Sequence, residues 1–420
     1  MTLIKTSLLN GIAVIIKILS SLILNKVLAI YVGPAGYAAI GQLQNFVNTL
    51  TTFANGGVST GVTKLTAEHF DDFSKQVSIW KSAVFIVLFC SVASGAAILL
   101  LREYLALLIL KDVYFSKVFL WLGFSLVFFS LNSFLMAVLN GKKEVKTYVV
   151  VNIAGSVVGL LVTSGLAFTY GLYGALIALT INQSIVLGVT LVLCRRTAWF
   201  GLSNFVGRVD PTALSALGKF VLMALTSAIC IPLSQMLIRN HLGTAYGWQA
   251  AGHWEALMRI SNLYLMVVTT PLTVYYLPRL SEIRKNQEIR REVSRGFRIV
   301  LPVAAAGAFI IYVLRDWIVV TLFTADFLPM RELFGWQMIG DTVKISSWLL
   351  GYVLLSRAMV GAFIATEVFF SVSWVALVWI FTRQYGEQGA QIGYLISYLA
   401  HALVMMLLVM KKTRVDIYAN

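Results

Sequence analysis

The amino-acid sequence predicts an all-α polytopic membrane protein with twelve transmembrane helices in two six-helix lobes, related by a pseudo-twofold axis along the membrane normal. Three observations lead there. Of 420 residues, 59% are hydrophobic and 12% charged, and the charged share is about half that of an ordinary soluble domain. Apolar stretches long enough to span a bilayer, about 20 residues each, recur twelve times. The two halves of the chain also align with one another at a constant offset (386 − 171 = 215). The first two observations exclude a water-soluble enzyme.

The twelve stretches lie at residues 8–31, 36–58, 77–101, 117–139, 146–169, 172–194, 214–238, 255–278, 297–320, 331–356, 358–381 and 389–410. Lys17 and Lys26 interrupt the first, and no small-residue cleavage site follows it. It is therefore expected to be a retained helix and not a signal peptide. Pro232 and Pro271 fall inside the seventh and eighth stretches and predict kinks there.

The formal net charge is +15, but the basic residues sit in short loops between apolar spans and not on one polar face. Nucleic acid is therefore not an expected partner. With the N-terminus inside, 22 Lys and Arg fall on the cytoplasmic side and 7 on the other: Arg102, Lys111, Lys117, Arg239, Arg315, Arg331 and Arg383. By the positive-inside rule both termini are expected to be cytoplasmic. The basic stretch 279–298 follows the same rule, and a lipid-headgroup or regulatory site is its alternative reading.

The repeat is visible at several separate places. TyrGlyLeuTyrGlyAlaLeuIle at 170–177 matches TyrGlyGluGlnGlyAlaGlnIle at 385–392. Phe119 and Trp121 map onto Phe334 and Trp336, Lys142 and Val145 onto Arg357 and Val360, and Lys64-Leu65 onto Arg279-Leu280. The expected organisation is an N-lobe at 1–200, an interlobe linker at 201–213 and a C-lobe at 214–420. Six spans per copy is an even number, so both copies enter from one side with a cavity between them, as in transporters.

Polar groups at membrane depth are costly, which makes them functional candidates. Six charged residues lie inside spans: Lys17, Lys26, Arg259, Asp341, Lys344 and Glu367. Asp341 and Lys344 are three apart and are expected to pair on one helical face. Four cations against two carboxylates leave a cationic interior, suited to a phosphate or pyrophosphate headgroup. Lys26 and Arg259 sit near span ends, so snorkelling to the interface is the alternative for each. Glu367 aligns with Asn152, a carboxylate facing a neutral amide. It is a candidate coupling group, or else a hydrogen-bonded buried acid. Gln42, Gln44, Asn45, Asn48 and Asn55 make the second span amide-rich, and Asn262 follows Arg259 by three. These residues suit either sugar hydroxyls in a watery cavity or interhelical hydrogen bonds.

Cys90, Cys194 and Cys230 show no pairing or metal spacing and are expected to be small core residues. The four His are scattered, so no metal is expected. No nucleotide-binding loop is present: AsnGlyGlyValSerThrGlyVal at 55–62 lacks the required Lys. No cofactor is expected.

ValGlyProAlaGly at 32–36 with Gln42 following, TyrLeuProArgLeuSer at 276–281, GlyAspThrValLys at 340–344 and AlaThrGluVal at 365–368 are together similar to Wzx-type polysaccharide flippases. These belong to the multidrug/oligosaccharidyl-lipid/polysaccharide (MOP) exporter superfamily. The resemblance covers nearly the whole chain and points in particular to flippases for O-antigen or enterobacterial common antigen repeat units. It implies a central cavity lined mainly by spans 1, 2, 7 and 8. The implied cargo is an undecaprenyl-pyrophosphate-linked oligosaccharide turned over from the cytoplasmic to the periplasmic leaflet of a bacterial inner membrane, with other surface-polysaccharide assembly proteins as further partners. Lys17, Lys26, Arg259 and Lys344 would hold the pyrophosphate. Gln42, Gln44, Asn48 and Asn262 would meet the sugars, and Glu367 or Asp341 would couple the cycle to an ion gradient. In some relatives the position of Asn262 is similar to an acid, which removes a coupling role there. Two other readings predict different features. A drug or organic-cation exporter of the same superfamily calls for an acidic interior. A polymerase or ligase of surface polysaccharide calls for a large outer loop, whereas the longest outer connections here are about 15 residues.

Overall fold

A lipid interior offers no partners to backbone N–H and C=O groups, so a spanning chain must satisfy them within itself. The computed structural model is built accordingly from helices. It describes residues 3–272, 276, 279, 280, 283, 285–357 and 359–414. The helices follow one another as α1 (Leu3–Tyr31), α2 (Gly33–Ala54), α3 (Ser59–Glu68), α4 (Phe73–Leu105), α5 (Ser116–Gly141), α6 (Val145–Cys194), α7 (Pro211–Tyr246), α8 (Trp248–Pro271), α9 (Asn286–Val313), α10 (Arg315–Leu322), α11 (Phe334–Ser356), α12 (Val360–Tyr385) and α13 (Gly389–Arg414). Among the described residues, seven stretches are long and apolar enough to cross a membrane, and two of these run to 50 and 52 residues.

A straight helix of 50 residues would be about 75 Å long, more than twice the thickness of a bilayer core. Both long stretches are broken by one glycine. Gly171 has φ 56° and ψ −134° inside α6, and Gly386 has φ 59° and ψ −143° between α12 and α13. That region of backbone space is essentially restricted to glycine. Beyond each break the chain doubles back. A Cβ on Gly174 would meet the Leu166 carbonyl oxygen, and one on Gly389 would meet the Phe381 carbonyl. Farther along, Gly159 lies against Asn182, and Gly393 against Val378. Each long stretch is thus an antiparallel helical hairpin, and the spans expected at 146–169 and 172–194 are its two arms in α6.

The glycine pairs also carry the internal repeat into geometry. Gly171 and Gly386 are 215 residues apart (386 − 171), as are Gly174 and Gly389, and Leu166 and Phe381. Glu144, which precedes α6, has φ −77° and ψ 59°. Met359, which precedes α12, has φ −81° and ψ 66° at the same offset. Lys142 and Arg357 cap the C-termini of α5 and α11, Phe119 and Phe334 are fully buried, and Trp121 and Trp336 are both exposed. The same sequence positions do the same structural work in both copies.

The chain divides into two compact units, residues 1–32 with 39–232 and residues 33–38 with 233–420. Pro232 stands inside α7 and is the last residue of the first unit. In that unit α5 packs on α4 and α6, and α1 packs on α6. Its core includes Trp80, Phe134, Trp199 and Phe205. The connecting segment is anchored there: Trp199 and Phe205 are buried, and Asp210 caps α7 by accepting from the backbone N–H and hydroxyl of Thr212. Ser78 of α4 also donates to Asp210, at 2.8 Å. These bonds, those from Thr212 first and then Ser78, hold the Asp210 carboxyl below the usual carboxylate range. In the second unit α13 packs on α12 and α11, and α11 packs on α9.

The motif ValGlyProAlaGly has a local cause. Gly33 has φ 69° and lets α2 begin, with Pro34 in its first turn, where a missing N–H costs nothing. The Pro34 carbonyl sits where a Cβ on Gly252 of α8 would lie, so only glycine fits at 252.

Several expectations are corrected. The eighth span was expected at 255–278; α8 starts earlier, at Trp248, and runs to Pro271, and the kink expected there lies at the edge of the described residues, since 273–275, 277 and 278 are outside them. The ninth was expected at 297–320, but α9 begins at Asn286, inside the stretch assigned to a basic loop. Within TyrLeuProArgLeuSer, Leu277, Pro278 and Ser281 lie outside the described residues. Cys194 is buried, whereas Cys90 and Cys230 are only half-buried.

The glycine breaks yield a first test. Gly171→Ala and Gly386→Ala should each destabilise the purified protein by roughly 1–3 kcal/mol, the cost of forcing a side chain into that backbone region. Gly165→Ala, which meets open space in a regular helix, should be neutral or stabilising. Thermal unfolding in detergent measures all three.

Candidate functional site

Three polar centres lie among the described helices, two in the second unit and one in the first. The deepest is the Asp341 carboxyl on α11, fully buried. Four donors converge on it. Ser261 and Tyr264 of α8 donate to Oδ2 at 2.6 and 2.9 Å. Gln337, one turn earlier on α11, and Tyr394 of α13 donate to Oδ1 at 3.1 and 2.8 Å. Two oxygens and four donors leave no acceptor capacity idle, as a buried carboxyl requires.

Lys344 does not meet Asp341 in a direct ion pair as expected, although each charge acts on the other. No ion pair joins them among the described residues; the Lys344 ammonium lies over the rings of Trp348, Tyr394 and Tyr398, 5.1 to 5.9 Å from their centroids. Spacing of three brings the residues to one helical face, but the aromatic cage holds the cation and the tyrosine, serine and glutamine donors hold the carboxyl. Cation–π attraction is strongest in such desolvated settings.

The second centre is an Arg–Glu–Arg cluster that the sequence reading did not find. Glu255 of α8 takes Arg239 of α7 at 2.6 Å and Arg259, one turn on, at 2.9 Å. Arg239 was assigned to an outer loop, yet its side chain is 1% exposed and its guanidinium lies over Trp254. The Arg259 guanidinium lies over Tyr37, 5.1 Å from the ring centroid. Only Arg259 Nε engages Glu255, and the side chain keeps 22% exposure, so its outer N–H groups stay available. One signal was present in the sequence: Glu255 and Arg259 are four apart, the spacing of a helical ion pair.

Glu367 of α12 is half-buried and makes no ion pair among the described residues. Asn262 is exposed, and no hydrogen bond ties it to Arg259.

In the first unit, Gln44 donates to Asn48 at 2.9 Å, so these two share a face as expected, with one amide contact already used between them. Gln42 is buried and Lys26 half-buried. Lys17 lines a cavity of about 370 Å³ with Asn132, Ser133, Asn152, Ser156 and Gln183, drawn from α1, α5 and α6. No carboxylate lines it, and Lys17 makes no ion pair among the described residues. Behind it, Asn132 donates to Gln183 at 2.9 Å and accepts from Thr190 at 2.6 Å, which fixes the amides in place. An uncompensated ammonium among amides and hydroxyls can take an anion and the hydroxyl groups attached to it. Asn152, whose counterpart in the second copy is Glu367, belongs to this cavity. This cavity lies within the first unit and is built by α1, α5 and α6.

Such a chain, a two-unit helical membrane protein with caged interior charges, has the architecture of a transporter, and solved structures bear out the fold. An inward-facing multidrug resistance MATE family transporter of the MOP superfamily matches with a TM-score of 0.81 over 95% of each chain, at 14% identity. The lipid II flippase MurJ in an inward closed conformation matches with a TM-score of 0.72, covering 97% of this chain and 87% of that one, at 14% identity. The family model described as "Polysaccharide biosynthesis protein" matches residues 27–332, and the chain belongs to that family. It is 27% identical over 402 residues, 96% of each chain, to proteins named Lipid III flippase from Escherichia coli (strain K12) and from Shigella flexneri.

The Arg–Glu–Arg cluster gives a second test. Glu255→Gln strands two guanidinium groups in a buried setting and should cost roughly 3–5 kcal/mol. Combining it with Arg239→Met should recover much of that loss. Thermal unfolding of the single and double variants in detergent measures both.

Proposed function

We propose that this chain is a flippase for lipid-linked oligosaccharides, carrying an undecaprenyl-pyrophosphate-linked repeat unit of the O-antigen or enterobacterial common antigen type across a bacterial inner membrane by alternating access. The observation that carries the reading is the Lys17 cavity: an ammonium with no ion pair among the described residues, set among five amide and hydroxyl side chains without a carboxylate in the lining. Family membership and two relatives named Lipid III flippase support the same cargo class.

The residues divide the work. Lys17 and the outer N–H groups of Arg259 supply the charge for the pyrophosphate, with Lys26 as an auxiliary cation. Asn48 and Asn262, both exposed, meet the sugars together with the amides around Lys17, and Gln42 and Gln44 order the face of α2. Lys344, held in its aromatic cage, sets the local potential. Of the two coupling candidates Glu367 is the better placed, since four donors commit Asp341 to a fixed structural role. Twelve spans follow when both hairpins are counted as two and α2, α7 and α8 are added to the apolar set. An even count puts both termini on one side, and the excess of Lys and Arg in the loops on that side makes it the cytoplasm. An organic-cation exporter has the same fold, but its cargo would face Lys17 with no carboxylate to attract it.

The test is translocation in proteoliposomes, read as a polyprenyl-pyrophosphate oligosaccharide becoming accessible on the opposite leaflet. Lys17→Glu should lower the rate at least about tenfold, the scale of a charged hydrogen bond of roughly 1.5–3 kcal/mol, with membrane insertion unchanged. Full activity in that variant, or transport of organic cations instead, contradicts the reading.

A further inference from the structure

The first four turns of α9 carry Arg290, Arg291, Arg295 and Arg298, all exposed, along an open surface hollow of about 570 Å³ that also takes in Gln287, Glu292 and Ser294. Four guanidinium groups against one carboxylate leave three positive charges. Arg291, Arg295 and Arg298 recur at the i, i+4, i+7 spacing of a single helical face, and none of the three makes an ion pair among the described residues. Arg290 reaches toward the Met410 carbonyl at the end of α13, beside the exposed Lys411.

The same face of α9 continues as an exposed apolar stripe. Ile299, Val303, Ile310 and Val313 are 54 to 59% exposed, and Phe309 is 67% exposed. Basic side chains at one end of a helix and bare hydrocarbon along the rest form the profile of a membrane boundary.

The other copy shows that the helix does not need arginines at this face. At the repeat offset of 215 (291 − 76 = 215), Arg291, Arg295 and Arg298 stand where α4 has Gln76, Trp80 and Ala83, all uncharged and fully buried. One copy buries this face in its own core, and the other lines it with exposed guanidinium groups.

We infer that Arg291, Arg295 and Arg298 form a seat for the phosphate of an anionic phospholipid, whose acyl chains run along Ile299, Val303 and Phe309. Guanidinium forks match phosphate oxygens bidentately, and the apolar stripe selects a lipid over a free anion. This site is separate from the Lys17 cavity and does not depend on the flippase reading.

The experiment is native mass spectrometry of the full chain released from detergent with phosphatidylglycerol, phosphatidylcholine or inorganic phosphate as the probe. The wild type should retain phosphatidylglycerol in preference to phosphatidylcholine, and inorganic phosphate at matched concentration should not displace it. The triple variant Arg291→Gln/Arg295→Gln/Arg298→Gln should bind phosphatidylglycerol about a hundredfold more weakly at low ionic strength, an effect that shrinks as salt screens it. Arg195→Gln/Arg196→Gln, which removes two loop cations outside α9, should change binding little. Equal retention of the two lipids, displacement by inorganic phosphate, or an equal loss in the loop variant overturns the inference. Thermal unfolding of the triple variant without lipid separates loss of the seat from loss of the fold: an unchanged midpoint with lost retention supports the seat, and weaker retention that only follows a lowered midpoint overturns it.

Discussion

Asp341 sets the terms for the second unit. Its carboxyl is buried at the middle of α11, where water cannot solvate it, so the protein must bring donors to it. Those donors come from α8, α11 and α13, which fixes the rotation of three helices at once. Lys344, one turn on, imposes a matching demand that Trp348, Tyr394 and Tyr398 meet. Tyr394 serves both groups, donating its hydroxyl to the carboxyl and offering its ring to the ammonium. In a lipid-embedded bundle, where apolar side chains are no better off against one another than against lipid, such polar contacts specify which helices meet.

The Arg–Glu–Arg cluster follows the same rule at the start of α8. Together the two networks neutralise or cage Asp341, Lys344, Arg239 and Glu255, and leave the outer edge of Arg259 open. The first unit is built differently. Its amides are held by one another and by Ser and Thr hydroxyls, and Lys17 stands among them with no carboxylate in reach of its cavity. The asymmetry arises on a repeated scaffold: the glycine-broken hairpins and capped helix ends recur at one offset, while the polar residues mounted on them differ. Asn152 against Glu367, and Gln76 with Trp80 against Arg291 with Arg295, are cases where duplicated positions have acquired different chemistry.

The repeat was legible in the sequence because TyrGly-x-x-Gly is a backbone requirement, and only glycine satisfies it at 171, 174, 386 and 389. Helix identity was legible from apolar length, and the Gln44–Asn48 contact from a spacing of four. The polar networks were not. A hydropathy window places a span's end where polarity rises, so it read the buried Arg239 as a loop residue and began the eighth span at Glu255, seven residues late. Three of the four partners of Asp341 lie 53 to 80 residues away on other helices, a distance over which spacing carries no information. The expected Asp341–Lys344 pair failed for that reason: local spacing offered one partner, and the fold supplied better ones to each.

The account rests on Lys17 as the cation of the first unit that meets the cargo's charge. Equilibrium binding of a polyprenyl-pyrophosphate oligosaccharide and of its uncharged polyprenol counterpart, to the wild type and to Lys17→Gln in nanodiscs, tests it most directly. The account predicts that the wild type prefers the pyrophosphate and that Lys17→Gln loses most of this preference while keeping its affinity for the uncharged lipid. An undiminished preference in Lys17→Gln would contradict it.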